Sequence, residues 1–215
     1  MKTSRLFWLL TLSALLIWIA TDLLTPQKLN IRQFEPVRVA SIETSIWRSY
    51  QSGSSFQLYR RVAGGLRAQL DLSFWRSYGL AFAASRAATQ IREAKSPAEL
   101  ETALPLLVDF YTGLQNLTTE TFDPQKVARA ELTIWKLRQQ KKTGDELARA
   151  LAAWASALYN LPPDRFSDFG TLRAQAIRQY DEATKQPGPF VKEAAWERME
   201  QQLDWAWQGL NRVVR

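Results

Sequence analysis

The 215-residue chain contains no cysteine and no histidine. Without cysteine there is no disulfide, no zinc-thiolate or iron–sulfur site, no cysteine nucleophile and no lipidated N-terminal cysteine. Without histidine the chain lacks the commonest general base, the usual haem ligand and every Ser-His or Cys-His dyad. These two absences exclude the most familiar catalytic arrangements, and we predict a non-enzymatic protein with no cofactor and no metal site.

Basic residues outnumber acidic ones, giving a formal charge of +7 and an isoelectric point near 9.8. This balance makes nucleic acid and anionic lipid the first partners to consider. The lysines and arginines are spread along the chain, often beside Asp or Glu, and no module that binds nucleic acid is recognisable. We therefore predict a solvated basic surface and no nucleic-acid partner.

One long apolar run, residues 6–24, follows a short basic tail of residues 1–5 and has no charge before Asp22. As a helix its 19 residues would extend about 28 Å, which matches the hydrocarbon core of a bilayer. Trp8 and Trp18 lie near the two ends, where indole rings favour the membrane interface. The pattern predicts a transmembrane helix and a lipid bilayer as its partner.

A cleaved signal peptide is the alternative to an anchor. Its small-x-small cleavage signal is poor, because Trp18 stands two positions before Ala20. We therefore predict an uncleaved signal anchor in a bacterial inner (cytoplasmic) membrane. Positive charges flank the run on both sides and do not fix its orientation. A short basic tail before an apolar run is typical of translocated domains, which places the remainder on the extracytoplasmic side.

Beyond the run, residues 25–35 are predicted to form a polar tether and residues 36–215 an all-helical soluble domain. Prolines at first helical positions, capping boxes and apolar stripes at helical spacing recur, and no strand-like alternation competes. The sequence thus predicts an all-α fold with about eight helices after the anchor, the fourth bent at Pro105. Their expected ranges are 36–51, 55–76, 79–93, 97–117, 124–141, 144–160, 168–186 and 189–214.

The domain also shows an internal similarity that divides it into two candidate repeat halves, 36–120 and 121–215. Gaps were needed to align the halves, and amphipathic helices resemble one another by composition, so chance similarity is the alternative to duplication. The aligned pairs are Glu43/Glu131, Trp47/Trp135, Leu58/Leu147, Arg60/Arg149, Ala63/Ala152, Leu72/Leu161, Arg76/Arg165, Arg86/Arg173, Ala87/Ala174, Ile91/Ile177, Arg92/Arg178 and the stretches 111–117/207–213.

Two glutamates, Glu43 and Glu131, each precede a tryptophan by one helical turn, Trp47 and Trp135 respectively. Both glutamates fall within apolar stripes, where a carboxylate must be paired or must take up a proton. We predict that each one forms a buried ion pair with an arginine and that the tryptophan packs over the pair. The candidate arginines are Arg138, Arg60, Arg76 and Arg86.

A catalytic pair of carboxylates is the alternative interpretation of these glutamates. A carboxylate-bridged di-metal site in a helical bundle would need Glu-x-x-His pairs, which a chain without histidine cannot supply. An acid/base enzyme using Glu43 and Glu131 would require both side chains to open onto one cleft.

The last helix offers the candidate surface for a protein partner. Trp205 lies off its apolar stripe, Trp196 and Trp207 lie near the margins of the stripe, and Arg212 supplies charge. Tryptophan and arginine dominate binding hot spots.

Three functions are therefore weighed. The first is a membrane-anchored interaction module, an accessory or assembly subunit that binds a membrane protein in a larger inner-membrane complex. The second is a binder or carrier of an apolar ligand, such as a lipid, quinone or pigment, between helices. The third is the carboxylate/arginine enzyme. The missing catalytic chemistry favours the first.

Overall fold

The computed structural model describes residues 2–185 and 188–215, with side chains from residue 6 onward. In this part all the regular elements are helical, and the only other pairing is an isolated bridge between Leu29 and Thr118. The all-α prediction is confirmed. The α-helices are α1 (Lys2–Leu24), α2 (Pro36–Gln51), α3 (Ser55–Leu70), α4 (Phe74–Glu93), α5 (Pro97–Glu101), α6 (Leu104–Leu117), α7 (Pro124–Gln139), α8 (Asp145–Tyr159), α9 (Ser167–Lys185) and α10 (Pro189–Val214), with a 3₁₀ helix at Pro163–Phe166.

Local capping explains where several helices begin. Proline occupies the first turn of α2, α5, α7 and α10, where its missing N–H is not needed. The Ser96 side chain accepts from the N–H of Glu99, and the Glu99 carboxylate accepts from the N–H of Lys95, which completes a capping box before α5.

Three predicted helices have different boundaries. The helix expected over 55–76 ends at Leu70, because Asp71 adopts a left-handed conformation (φ 49°). The helix expected over 79–93 begins five residues earlier, at Phe74. The helix expected over 97–117 is two helices, α5 and α6, rather than one bent helix. The ring of Pro105 would clash with the carbonyl of Glu101 in a continuous helix, so α5 ends there.

After α1, successive long helices pack as a closed ring. Each of α2, α3, α4, α6, α7, α8, α9 and α10 packs on the next, and α10 returns to pack on α2. The two candidate halves therefore have the same neighbour order: α2, α3, α4 and α6 in the first, α7, α8, α9 and α10 in the second. The last helix of each half packs on the first helix of the other. Any closed ring in which each helix packs on the next has this order, so the duplication stays a prediction.

The segment 25–35 is not the free tether that its polar composition suggested. Leu29 and Ile31 are buried, with 7% and 6% of their surfaces exposed. The backbone of Leu29 donates to the carbonyl of Leu117 (2.7 Å) and accepts from the N–H of Thr119 (2.9 Å). Its alternate side chains thus enter the core, and its backbone is paired with the end of α6.

Helix α1 presents its apolar side chains outward. Residues Leu6–Leu24 have a mean hydropathy of 1.9 and none of this stretch is buried within the molecule. One such helix near the N-terminus is long and apolar enough to be a membrane anchor or a signal sequence.

Candidate functional site

Glu43 on α2 is the centre of a polar cluster in the interior of the domain. Its carboxylate accepts two hydrogen bonds from the Arg173 guanidinium (2.8 and 2.6 Å). It also accepts from the indole N–H groups of Trp47 (3.1 Å) and Trp207 (2.8 Å). The two charged side chains are about one-seventh exposed, 14% for Glu43 and 15% for Arg173. The ion pair is therefore largely desolvated and fully hydrogen-bonded at the carboxylate.

The predicted buried pair exists at Glu43, but its arginine is none of the four candidates. Arg173 lies on α9, and only the closure of the ring brings that helix beside α2. Arg60 and Arg86 instead lie over the rings of Phe56 and Phe82, and Arg76 donates to backbone carbonyls at the end of α1.

The carboxylate of Glu131 on α7 has a different environment. It accepts from the Tyr111 hydroxyl (2.5 Å) and from the indole of Trp135 (3.4 Å). Within the part of the chain that the structure describes, no arginine donates to it, which corrects the expected ion pair. Burial raises the pKa of the Glu131 carboxyl above its usual value, and the two hydrogen bonds and the positive charge of Arg173 oppose that shift.

Arg138 lies between the two tryptophans that the sequence singled out. Its guanidinium carbon is 4.8 Å from the ring centroid of Trp47, 4.9 Å from that of Trp135 and 5.2 Å from that of Tyr180. Its charged partner is Asp181 on α9, at 3.3 Å. The tryptophans therefore do pack on an arginine, but on one that pairs with neither glutamate.

The two glutamate sites correspond to each other under the internal alignment. Each glutamate accepts at Oε1 from the tryptophan one turn later, and at Oε2 from a side chain on the last helix of the opposite half. Those last-helix donors, Tyr111 and Trp207, occupy aligned positions in the stretches 111–117 and 207–213. The same interaction thus occurs twice in reciprocal form.

Apart from the Tyr111/Trp207 pair, the two glutamate sites differ at two aligned positions. Arg173 pairs with Glu43, whereas its counterpart Arg86 is exposed on α4. Trp154 of α8 donates to the Tyr111 hydroxyl (2.8 Å), whereas the aligned position on α3 is Gly65, which has no side chain. These differences leave the second site filled and the first one open.

A groove follows from this difference, and we call it the α2/α3 groove. It has a volume near 320 Å³, and nearly all of its lining is apolar. Its polar groups come from Glu43, Gln69, Tyr159, Arg173 and Trp207. The apolar part includes Ile31, Phe34, Val39, Ile42, Ile46, Val62, Leu66, Leu70, Phe110, Leu114 and Leu158, with Gly65 on the α3 side. The corresponding space beside Glu131, lined by Trp154 and Tyr111, measures only about 90 Å³.

A carboxylate/arginine enzyme would need the side chains of Glu43 and Glu131 to open onto one cleft. Glu43 lines the α2/α3 groove, whereas Glu131 lines the small cavity, and Arg173 lies between the two spaces. Within residues 2–185 and 188–215, no group of three or more Asp, Glu, Cys or His side chains is arranged to hold a metal ion.

The predicted partner residues on α10 separate into exposed and buried ones. Trp205 is 44% exposed and Arg212 is also exposed. Trp196 is only 2% exposed and packs in the core, and the indole N–H of Trp207 is bonded to Glu43. Trp196 and Trp207 are therefore corrected from surface candidates to interior residues, because the apolar face of α10 is wider than the predicted stripe.

The two anchor tryptophans differ in their surroundings. Trp8 is 67% exposed, whereas Trp18 contacts the rings of Phe74 and Trp75 at 5.4 Å each.

Sequence reasoning missed Arg173, Tyr111 and Trp154. The internal alignment contained the usable signal, since it pairs Tyr111 with Trp207 and sets Trp154 against a glycine. Comparison with protein-family models, with curated proteins and with solved structures finds no match to this chain.

Proposed function

We propose that this protein is a membrane-anchored helical module that holds an apolar chain, such as the tail of a lipid or a quinone, in the α2/α3 groove. The observation that carries the proposal is the groove itself, whose wall has a glycine at position 65 where the second half has the indole of Trp154. Sites for apolar ligands are concave, largely preformed and lined by apolar side chains with a few polar groups.

The position of the groove in the chain supports a ligand from the bilayer. Ile31 and Phe34, which follow the anchor closely, are part of its wall. Leu70 is another wall residue, and the carbonyl of the next residue, Asp71, accepts from the side chain of Gln27 at 2.7 Å. The groove therefore begins beside the residues that leave α1.

The test uses two adjacent glycines of α3. Gly65→Leu places a side chain at the groove wall, and Gly64→Leu is the matched control, because Gly64 is exposed and has open space around it. Native mass spectrometry of the full chain, released from membranes in mild detergent, should show a retained lipid-sized mass in the wild type and in the Gly64 variant. The Gly65 variant should lose it.

A Cβ at Gly65 would approach Ile42 Cγ2 to 2.6 Å, so α2 must adjust in that variant. Val62→Trp fills the groove from another position on α3 and should also abolish retention. Melting temperatures establish that each variant is folded. Equal retention by the folded groove variants, or no retention by the wild type, would contradict the proposal.

The anchor belongs to the same proposal: a single span by residues 6–24 in an inner membrane, with the domain on the extracytoplasmic side. The apolar, outward-facing side chains of α1 support it. Glu182→Cys introduces the only thiol, at an exposed site on α9. An impermeant maleimide should label it in spheroplasts without permeabilisation, and the mass of the mature chain should include residues 6–24. Labelling only after permeabilisation would place the domain on the cytoplasmic side instead.

A second candidate function is the accessory subunit that binds a membrane protein. The exposed indole of Trp205, on a face of α10 otherwise made of polar side chains, favours it. Trp205→Ala should leave the melting temperature nearly unchanged and reduce co-purification of one specific membrane protein. Phe190→Ala is the control, since Phe190 is 90% exposed on the same helix. A large loss of stability from the Trp205 change would make that residue structural.

A further inference from the structure

The end of α1 is fixed to the start of α4. The Asp22 carboxylate accepts from the backbone N–H of Trp75 (2.8 Å) and from the Ser73 hydroxyl (3.0 Å), so a side chain of the anchor caps α4. Arg76 donates to the carbonyls of Leu23 and Thr25 (2.7 and 2.5 Å). These contacts hold α4 in a defined position relative to the anchor.

The contacts of Trp18 indicate how close the start of α4 lies to the bilayer. Asp22 is the first charge in the apolar run and belongs at the boundary of the hydrocarbon core. Trp18 lies four residues earlier, about 6 Å closer to the bilayer centre when α1 spans. Because Phe74 and Trp75 contact Trp18, the first turn of α4 lies at the membrane interface, where aromatic rings are favoured.

The hairpin of α3 and α4 has a one-sided charge. Residues 55–93, from the start of α3 to the end of α4, contain six arginines and two acidic residues, Asp71 and Glu93, so they carry more than half of the net positive charge of the chain. Helical spacing places Trp75, Phe82 and Arg86 on one face of α4. Phe56, Arg60 and Arg67 share a face of α3 in the same way, and all three are exposed.

We infer that this pair of faces, the hairpin face, docks on the anionic bilayer that holds the anchor. The inference rests on the proposed span by α1. Exposed aromatic side chains, Phe56 at 67% and Phe82 at 55%, insert between headgroups, and the arginines beside them bind lipid phosphates. Basic residues near an anionic membrane surface are attracted to it. The surface is continuous with the anchor through Trp18 and Trp75, so a membrane needs no adaptor to reach it.

The absence of cysteine allows a single-site test on the full chain. Gly79→Cys lies on the exposed side of α4 with open space around it, and Glu197→Cys on α10 serves as the distant control. Each variant is labelled with an environment-sensitive dye and reconstituted in vesicles of phosphatidylcholine, with or without phosphatidylglycerol. Spin-labelled phosphatidylcholine, carrying its label near the headgroup, is the quencher. Flotation of the vesicles reports insertion of α1 independently.

We expect stronger quenching at position 79 than at position 197, increased by phosphatidylglycerol and reduced by high salt. Replacing Arg60, Arg67 and Arg86 together by Gln should reduce quenching at position 79 to the level of position 197. The matched control replaces three exposed arginines elsewhere: Arg129, Arg149 and Arg178. A chain that floats with the vesicles but shows equal quenching at both positions overturns the docking while leaving the anchor intact. A chain that does not float overturns the anchor and the docking together.

Discussion

The two largely buried glutamates, Glu43 and Glu131, differ in the side chains that donate hydrogen bonds to them. Glu43 and Glu131 stand at aligned positions with aligned aromatic donors, yet only Glu43 has an arginine. The bidentate guanidinium supplies Glu43 with a counter-charge, whereas the Glu131 carboxyl accepts only from a phenol and an indole, and burial raises its pKa. Substitutions at Glu43 and Glu131 should therefore change the stability of the fold in different ways.

Glu43→Gln should lower the free energy of unfolding by about 3 kcal/mol, because it leaves the Arg173 guanidinium desolvated without its counter-charge. Urea unfolding followed by circular dichroism measures the change. Glu197→Gln, an exposed glutamate on α10, is the control and should change it little. A variant at Glu43 as stable as the wild type would mean that the pair contributes no net stability.

Glu131 should give the stability a pH dependence of its own. Its pKa is raised in the folded state, so the folded chain binds this proton more tightly than the unfolded chain does. The corresponding stabilisation is present below the ordinary pKa of a glutamate and is lost as the pH rises through the raised value. Unfolding measured from about pH 4 to pH 8 should show this decline in the wild type but not in Glu131→Gln. A difference in stability between the wild type and Glu131→Gln that stays constant over this pH range would contradict the prediction.

At the scale of the elements, helix starts were the most predictable feature. Prolines at first positions and the Ser96–Glu99 box act locally, so the sequence near them contains the whole cause. The ends at Leu70 and Glu101 were missed, the first because Asp71 takes a left-handed conformation and the second because one helix was allowed to bend through Pro105. The segment 25–35 was misjudged because three apolar residues among polar ones, Leu29, Ile31 and Phe34, are too few to form a helical stripe.

Asp71→Gly should stabilise the fold by about 0.5 kcal/mol. Residue 71 is exposed with a positive φ, a conformation that glycine adopts without the steric cost of a Cβ atom. The carbonyl that accepts from Gln27 is retained in the variant. Gly53→Ala tests the reverse at a second positive-φ position (79°) and should destabilise. Thermal unfolding measures both changes in stability. A loss of stability in Asp71→Gly would mean that the Asp71 carboxylate itself stabilises the fold.

At the scale of the whole molecule, the site depends on ring closure and lay beyond sequence reasoning for that reason. Glu43 and Arg173 are 130 positions apart, and nothing local to either one indicates the other. The internal alignment carried part of the information, since it paired Tyr111 with Trp207 and Gly65 with Trp154. It could not show that the halves exchange these donors, because the exchange is a property of how the last helix of each half packs.

The segment 25–35 should behave as part of the domain. A chain beginning at Thr25 should be more stable than one beginning at Glu35 by at least about 4 kcal/mol, because the shorter chain loses the buried side chains of Leu29 and Ile31. Circular dichroism and urea unfolding of the two truncated chains measure this difference. Equal stability would restore the segment to the tether that its composition suggested.

The packing of α10 on α2 has a consequence for the order of events during synthesis. Contacts between distant parts of a chain form late, after the loop between them has been closed. The first helix of the domain completes its packing only after the last one has left the ribosome, so the nascent domain stays open throughout translation. A chain anchored as proposed spends that interval next to the bilayer, before Trp207 of α10 completes the wall of the groove. If the proposed function holds, a lipid or quinone tail can enter the groove from the bilayer before the ring closes.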